Sequence, residues 1–316
     1  MDRAIKQKEV HRNRIRHSRG DRVFAGIIYT LLGLFFVIEL YPLVYVISAS
    51  FSDPLAVGSG EMILLPVRPR LDGYKYILNY SEIWTGYLNT FFYTVVGTVI
   101  NLVVTLPAAY ALSRRDFKDK GIIMAIFMFT MYFSGGLIPG YLNIYQLGML
   151  NTRWVMILSG ALSVYNMIVA RTFFANTIPW DLHEAARIDG AGNFRIFFQI
   201  VLPLSSPIIV VMTLYYGVGH WNAYFNAMMY LAKARSLWPL QLFLRDILIK
   251  GQFSANALMN TEGMTPEQML EMTKQAETAN MIKYCVIIAA TAPMMLIYPW
   301  LQKFFAKGVM IGSVKG

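Results

Sequence analysis

Apolar residues in this chain run in long blocks instead of alternating or returning to one face of a helix. Six blocks reach the roughly 20 residues needed to cross a hydrocarbon core about 30 Å thick at about 1.5 Å per helical residue. They lie near Val23 to Ser48, Trp84 to Leu112, Gly121 to Pro139, Trp154 to Phe174, Ile200 to Tyr224 and Met281 to Phe304. The pattern predicts an all-α polytopic membrane protein with six transmembrane helices. Gly135, Gly136 and Pro139 fall near the end of the third block. The first block follows a basic stretch, but it is longer than a secretory h-region and lacks a small-residue cleavage site, so it reads as a retained anchor. The expected division is a basic segment 1–22, a first transmembrane helix 23–49, an external loop 50–83, a core of five transmembrane helices over 84–304, and a tail 305–316.

Composition agrees with a bilayer setting. The 316 residues are 56% hydrophobic and 15% charged, where soluble domains carry about a quarter charged residues. Disordered, collagen-like and disulfide-scaffold classes are excluded. Cys285 is the single cysteine, so no intramolecular disulfide and no cysteine-based zinc site can form, and it is expected to be a small buried side chain. The net charge of +10 is sorted by connection. Arg3, Lys6, Lys8, Arg12, Arg14, Arg16, Arg19 and Arg22 precede the first span. Arg114, Arg115, Lys118 and Lys120 follow the second, Arg171, Arg187 and Arg195 follow the fourth, and Lys303, Lys307 and Lys315 lie at the end. The alternate connections are longer and less basic, which by the positive-inside rule puts both termini in the cytoplasm of a multi-pass plasma-membrane protein. The basic amino terminus could be a nucleic-acid arm or an anionic-lipid patch. A juxtamembrane anchor is the simpler reading, with membrane lipid and no nucleic acid as the partner.

Two connections carry more information. The external one from Leu231 to Asn280 has Pro239 near its start, an amphipathic stretch Gln241 to Ile249, and a short helix opened by Thr265 as cap with Pro266 first; a long, partly structured loop fits contact with something outside. The fourth-to-fifth connection reads Ile178-Pro179-Trp180-Asp181-Leu182-His183-Glu184-Ala185-Ala186-Arg187-Ile188-Asp189-Gly190-Ala191-Gly192. Asp181 and Glu184 are spaced as a capping box, and Gly190 suits the left-handed position that ends a helix. A helix of about two turns is expected over 181–192, with Ala185-Ala186 at its exposed centre, where missing bulk lets another surface approach.

Glu184-Ala185-Ala186, three residues, Gly190, nine residues, then Ile200, one residue and Leu202-Pro203 resembles the EAA signature of ABC importer permeases. With Gly219-His220-Trp221-Asn222 and the tail Gly308 to Gly316, the chain is similar to the smaller permease subunit of maltose-type carbohydrate importers, most of all the subset for complex or modified oligosaccharides. The resemblance implies the type I importer fold, a second permease subunit in a heterodimer, two cytoplasmic ATPase subunits and an extracytoplasmic sugar-binding protein. ATP and Mg would sit on the ATPase subunits, with no cofactor in this chain. It also implies that Glu184 pairs with a basic group in an ATPase groove, that Ala185 and Ala186 permit close packing, and that Gly190 makes the turn; Asp189, Ile200, Leu202 and Pro203 complete the coupling segment. A capped surface helix that merely joins two spans is the alternative.

For a substrate path, polar groups within spans are the candidates: Asn89, Asn101, Asn166, His220, Asn222 and Asn226. His220, Trp221, Asn222 and Tyr224 with Phe225 combine rings, which stack on sugar faces, with amides, which bind hydroxyls. An aromatic belt with interhelical hydrogen bonds is the simpler reading of the same residues. Arg68, Arg70, Lys75, Lys233, Arg235, Arg245 and Lys250 could favour an anionic, uronate-containing oligosaccharide or grip acids of the binding protein. No enzyme site is expected: there is no phosphate loop for ATP, no paired-His metal motif, and His11, His17, His183 and His220 are scattered. The alternatives are an ABC permease for a peptide or amino acid, and a membrane-embedded lipid- or glycan-processing enzyme, which would need clustered Asp, Glu or His.

Overall fold

The computed structural model describes residues 18–257 and 265–313; the basic residues ahead of Ser18 and the last three of the tail lie outside them. Every regular element among the described residues is helical. The chain divides into two compact units between Pro69 and Arg70.

The first unit holds α1 (Arg19–Ser50) and α2 (Pro54–Gly58). Ser18 and Asp21 open α1 reciprocally. The Asp21 amide donates to Ser18 Oγ at 3.1 Å, and the Ser18 amide donates to Asp21 Oδ2 at 2.8 Å. Most of α1 is apolar and exposed in the isolated chain, as lipid-facing surface must be. Past its end, Ser48 Oγ donates to the Leu64 carbonyl and the Val67 amide donates to Ser52 Oγ, folding 52–67 back on the helix end.

The second unit holds α3 (Asp72–Asn79), α4 (Ser81–Ser113), α5 (Lys120–Tyr132), α6 (Leu137–Gln146), α7 (Arg153–Leu158), α8 (Val164–Thr177), α9 (Trp180–Ile188), α10 (Asn193–Arg195), a π-helical turn (Ile196–Val201), α11 (Leu202–Leu204), α12 (Ser206–Trp221), α13 (Phe225–Tyr230), α14 (Leu240–Ala257) and α15 (Pro266–Ser313). Helix α4, about 50 Å long at 1.5 Å per residue, is the mast: α12, α8 and α14 pack along it, and α15 packs on α14 and α12. Cys285 is buried on α15 beside Gly73, where an added Cβ would lie 2.6 Å from its sulfur.

Among the described residues three helices are long and apolar enough to cross a membrane, α1, α4 and the stretch Pro266–Pro299 of α15, or up to five if each of two bent pairs is one span. Three of the expected continuous spans are therefore broken. Between α5 and α6 the chain turns by 113° at Ser134-Gly135-Gly136, with Gly136 at φ +92°. The fifth turns by 82° before α12. Pro203 and Pro207 each remove an amide from the helical ladder; the π turn relaxes the backbone ahead of Pro203, and Ser205 Oγ donates to the Val201 carbonyl at 2.6 Å. The fourth is split at Ser159 to Ser163 around Gly160, at φ +128°. Asn101 of α4 satisfies that break, its Nδ2 donating to the Gly160 and Ala161 carbonyls at 2.9 and 2.8 Å. The expected external loop 231–280 is also corrected. It is mostly α14 and the first turns of α15, and the Thr265-capped helix is the start of α15 itself, with the Gln268 amide donating to Thr265 Oγ1 at 3.3 Å.

Candidate functional site

Helix α9 is docked on the Ser113 end of α4. It starts two residues earlier than the capping-box reading required. Pro179 occupies the N-cap with no side-chain cap bond, and Asp181 sits within the first turn, where its charge favours the helix dipole. The far end is a Schellman motif: the Ala191 amide donates to the Ala186 carbonyl at 2.8 Å, the Gly190 amide to Arg187 at 3.0 Å, and Gly190 has φ +77°.

Its two faces differ in role. Glu184 and Ala185 are exposed, and Glu184 has no intramolecular partner among the described residues. Ala186, expected to be exposed beside Ala185, is instead buried in the core with Tyr110, Phe174, Ile196 and Phe197, because one helical step of 100° carries it to the inner face. His183 shares that face, sandwiched between Trp180 (5.0 Å between centroids) and Tyr110 of α4 (5.8 Å). Neither ring nitrogen has a partner that meets hydrogen-bond geometry, and burial holds the imidazole pKa below its ordinary value, the Pro179 carbonyl opposing only in part.

An ion network closes the joint. Arg114, at the end of α4, forks onto Asp116 at 2.9 and 2.7 Å and reaches Asn193 Oδ1 at 2.8 Å; Arg187 of α9 binds the same Asp116. Hydrogen bonding from Arg114, with Arg187 adding to it, holds the Asp116 carboxyl well below the usual carboxylate range. A cavity of about 390 Å³ beside this network is lined by Tyr110, Phe117, Phe194 and Phe197 as well as the three charged groups. Phe194, at 83% exposure, leaves an apolar ring at its rim, and Ile188 is 86% exposed at the end of α9. Asp189 caps the C-terminus of α9, Ile200 lies in the π turn, and Leu202 and Pro203 form α11 ahead of the bend.

The candidate path residues separate into two groups. His220 Nε2 lies 2.7 Å from Asn101 Oδ1, pressed against Gly97, where a Cβ would sit 2.4 Å from the ring. Trp221 is buried and donates to the Ala290 carbonyl at 2.9 Å. Asn89 binds the Ser236 and Trp238 carbonyls, and buried Asn166 opens α8 through its amide. Apart from Asn166, which serves only the start of its own helix, these polar groups tie separate elements to one another. Asn222 and Tyr224 instead line a cavity of about 490 Å³ with residues of α14 and α15, and Asn226 is half-buried on α13. Asp116, Tyr110 and His183 were not singled out by sequence; Arg114 and Arg187 entered only as topological charge. The i, i+3 spacing of Trp180 and His183 was the available hint.

Long apolar helices on a central mast, with a short helix joined to one end, define an integral membrane protein. The chain belongs to the binding-protein-dependent transport system inner membrane component family, which it matches over residues 83–311, and is thus a permease component of an ABC importer and not an enzyme. It is 40% identical over 298 residues to the polygalacturonan/rhamnogalacturonan transport system permease protein YtcP of Bacillus subtilis (strain 168), covering 94% of this chain and 99% of that one. It is 36% identical over 309 residues to protein LplC of the same organism, covering 98% and 99%. A chain in the crystal structure of a bacterial ABC transporter involved in the import of the acidic polysaccharide alginate superposes with a TM-score of 0.78 at 33% identity, covering 92% of this chain and 99% of that one.

Proposed function

We propose that this permease imports acidic, uronate-containing oligosaccharide, as one half of a heterodimeric pathway closed from the cytoplasm by two ATPase subunits and fed from outside by a sugar-binding protein. The relatives that transport polygalacturonan/rhamnogalacturonan and the alginate importer support the substrate class, and they favour sugar over a peptide or amino acid. The chain crosses six times, the broken α5–α6, α7–α8 and α11–α12 segments each counting once, with both termini and α9 in the cytoplasm. ATP and Mg belong to the ATPase subunits.

The observation that carries the coupling assignment is the two-faced character of α9. Its outer face offers an unpartnered carboxylate, Glu184, and a low-bulk Ala185 to a groove. Its inner face is joined to α4 by the His183 stack and to Asp116 by Arg187. Movement of an ATPase bound at Glu184 is thereby delivered to α4 and to the π turn ahead of α12. Nucleotide shifts the inward–outward equilibrium only by the difference in how the ATPases hold the two states, and α9 is the contact through which that difference reaches the spans. Reversing the charge tests this. Glu184→Lys is expected to leave insertion intact, as read by membrane flotation, while uptake falls by at least about 100-fold, the scale of losing a charge-assisted contact and adding a repulsion. Uptake at the normal rate would remove the assignment.

A further inference from the structure

The cavity holding Asn222 and Tyr224 lies between the end of α12, α14 and α15, and among the described residues Arg245 is the one charged side chain that lines it. Gln241, Arg245, Leu248 and Gln252 come to it from α14 at spacings of four, three and four residues, a single stripe along one helix face. Arg245 lies over the Tyr224 ring, 5.8 Å from guanidinium carbon to centroid. Stacking of that kind leaves the N–H edge of the guanidinium free to donate. No carboxylate of the chain takes it among the described residues. The neighbouring Asp246 is committed to Arg235 at 3.1 Å and Lys250 at 2.9 Å. The side chains of Asn222, Gln241 and Gln252 likewise hydrogen-bond to nothing among the described residues.

We propose that this cavity is a carboxylate-binding subsite on the substrate path, taking one uronate residue, with Arg245 as the residue that sets specificity for acidic over neutral sugar. The proposal rests on the oligosaccharide-importer reading above. The guanidinium fork matches a carboxylate in two parallel hydrogen bonds, the three amides match ring hydroxyls, and the phenol ring of Tyr224 offers a face for a pyranose. A second cavity of about 290 Å³ shares Asn222, Ala290 and Thr291 with the first and continues past Leu214, Val218, Trp221 and Met294. That continuation offers a carboxylate no cation, so recognition of charge falls to the Arg245 end. Along α4 this end lies near Thr90, whose Oγ1 accepts from the Leu240 amide at 2.8 Å. It is the end away from α9, hence the side from which a binding protein delivers.

The test uses the assembled importer in proteoliposomes with its binding protein, carrying Arg245→Gln or Arg245→Lys, and trigalacturonate and galactotriose as probes. The expected result for Arg245→Gln is a KM for trigalacturonate raised about 10-fold, the usual scale for a hydrogen bond to a charged group. Lysine should recover about half of that on a logarithmic scale. Stimulation of the ATPase by the ligand-free binding protein should be unchanged, as should any galactotriose uptake. Three results overturn the proposal: unchanged trigalacturonate kinetics in Arg245→Gln, an equal fall for both sugars, or weakened stimulation by the ligand-free binding protein, which would make Arg245 a docking residue for that protein. Failure of the wild-type importer to carry trigalacturonate, with galactotriose carried normally, overturns the acidic-substrate reading and this subsite together.

Discussion

The two ends of α4 use the same device with opposite sign. At the Ser113 end one carboxylate, Asp116, is shared by two arginines, Arg114 and Arg187. At the Ser81 end one arginine, Arg235, is shared by two carboxylates, Glu82 at 2.7 Å and Asp246 at 3.1 Å. Each network ties a connecting segment to the mast, α9 in one case and the turn before α14 in the other. The first leaves positive charge in excess beside a joint whose outer face has a free carboxylate. The second is closed on itself by Lys250 and by Trp238 and Phe243, which flank Arg235 at 4.8 and 5.4 Å. The contrast teaches where a partner is expected: surplus charge lies beside α9, and balanced charge marks the strut before α14.

That comparison breaks first at Asp116. Asp116→Ala strands Arg114, only 9% exposed, without a counter-charge; the assembled importer is expected to lose about 2–4 kcal/mol in thermal unfolding. Glu82→Ala leaves Arg235 with Asp246 and its two rings, and about 1 kcal/mol is expected. Equal losses would end the distinction between the two ends. A smaller effect separates the ends by pH. Burial holds His183 below its ordinary 6.5 in the folded chain, so the unfolded chain takes up that proton first. Stability is then full above about pH 6.5 and declines as pH falls below it, until the folded-state pKa is reached. Tyr110, Arg114, Asp116 and Arg187 face the ring, and of these none changes charge in that window. Melting at pH 7.5 and 5.5 should therefore show a larger drop for the wild type than for His183→Phe, which keeps the stack. The smallest change is Lys250→Ala, which removes an exposed partner of Asp246 and is expected to cost under about 0.5 kcal/mol by the same melting assay.

Much of this was legible along the chain because its causes are local. A glycine at positive φ after an amphipathic stretch ends a helix wherever it stands, and Gly190 does so; Thr265 followed by Pro266 opens one. The apolar blocks marked the membrane character and the ends of α1 and α4 within a few residues. What escaped the sequence is settled by contacts far apart in it. The break at Gly160 is tolerated because Asn101, about sixty residues away, supplies its hydrogen bonds. The burial of Ala186 depends on Tyr110 and Phe197 closing over it. Asp181 looked like a cap, yet Pro179, with φ already near the helical value, let the helix begin earlier. His220 and Trp221 read as path residues by chemistry, and only the approach of Gly97 and Ala290 reveals them as fasteners.

The fit of His220 over Gly97 limits how α12 can travel. Sliding it by one turn along α4 would bring the imidazole over Tyr93 or Asn101, where side chains occupy the space that glycine leaves open. The two helices are keyed at that level, so α12 cannot shift along α4 without opening the contacts of His220 with Gly97 and Asn101.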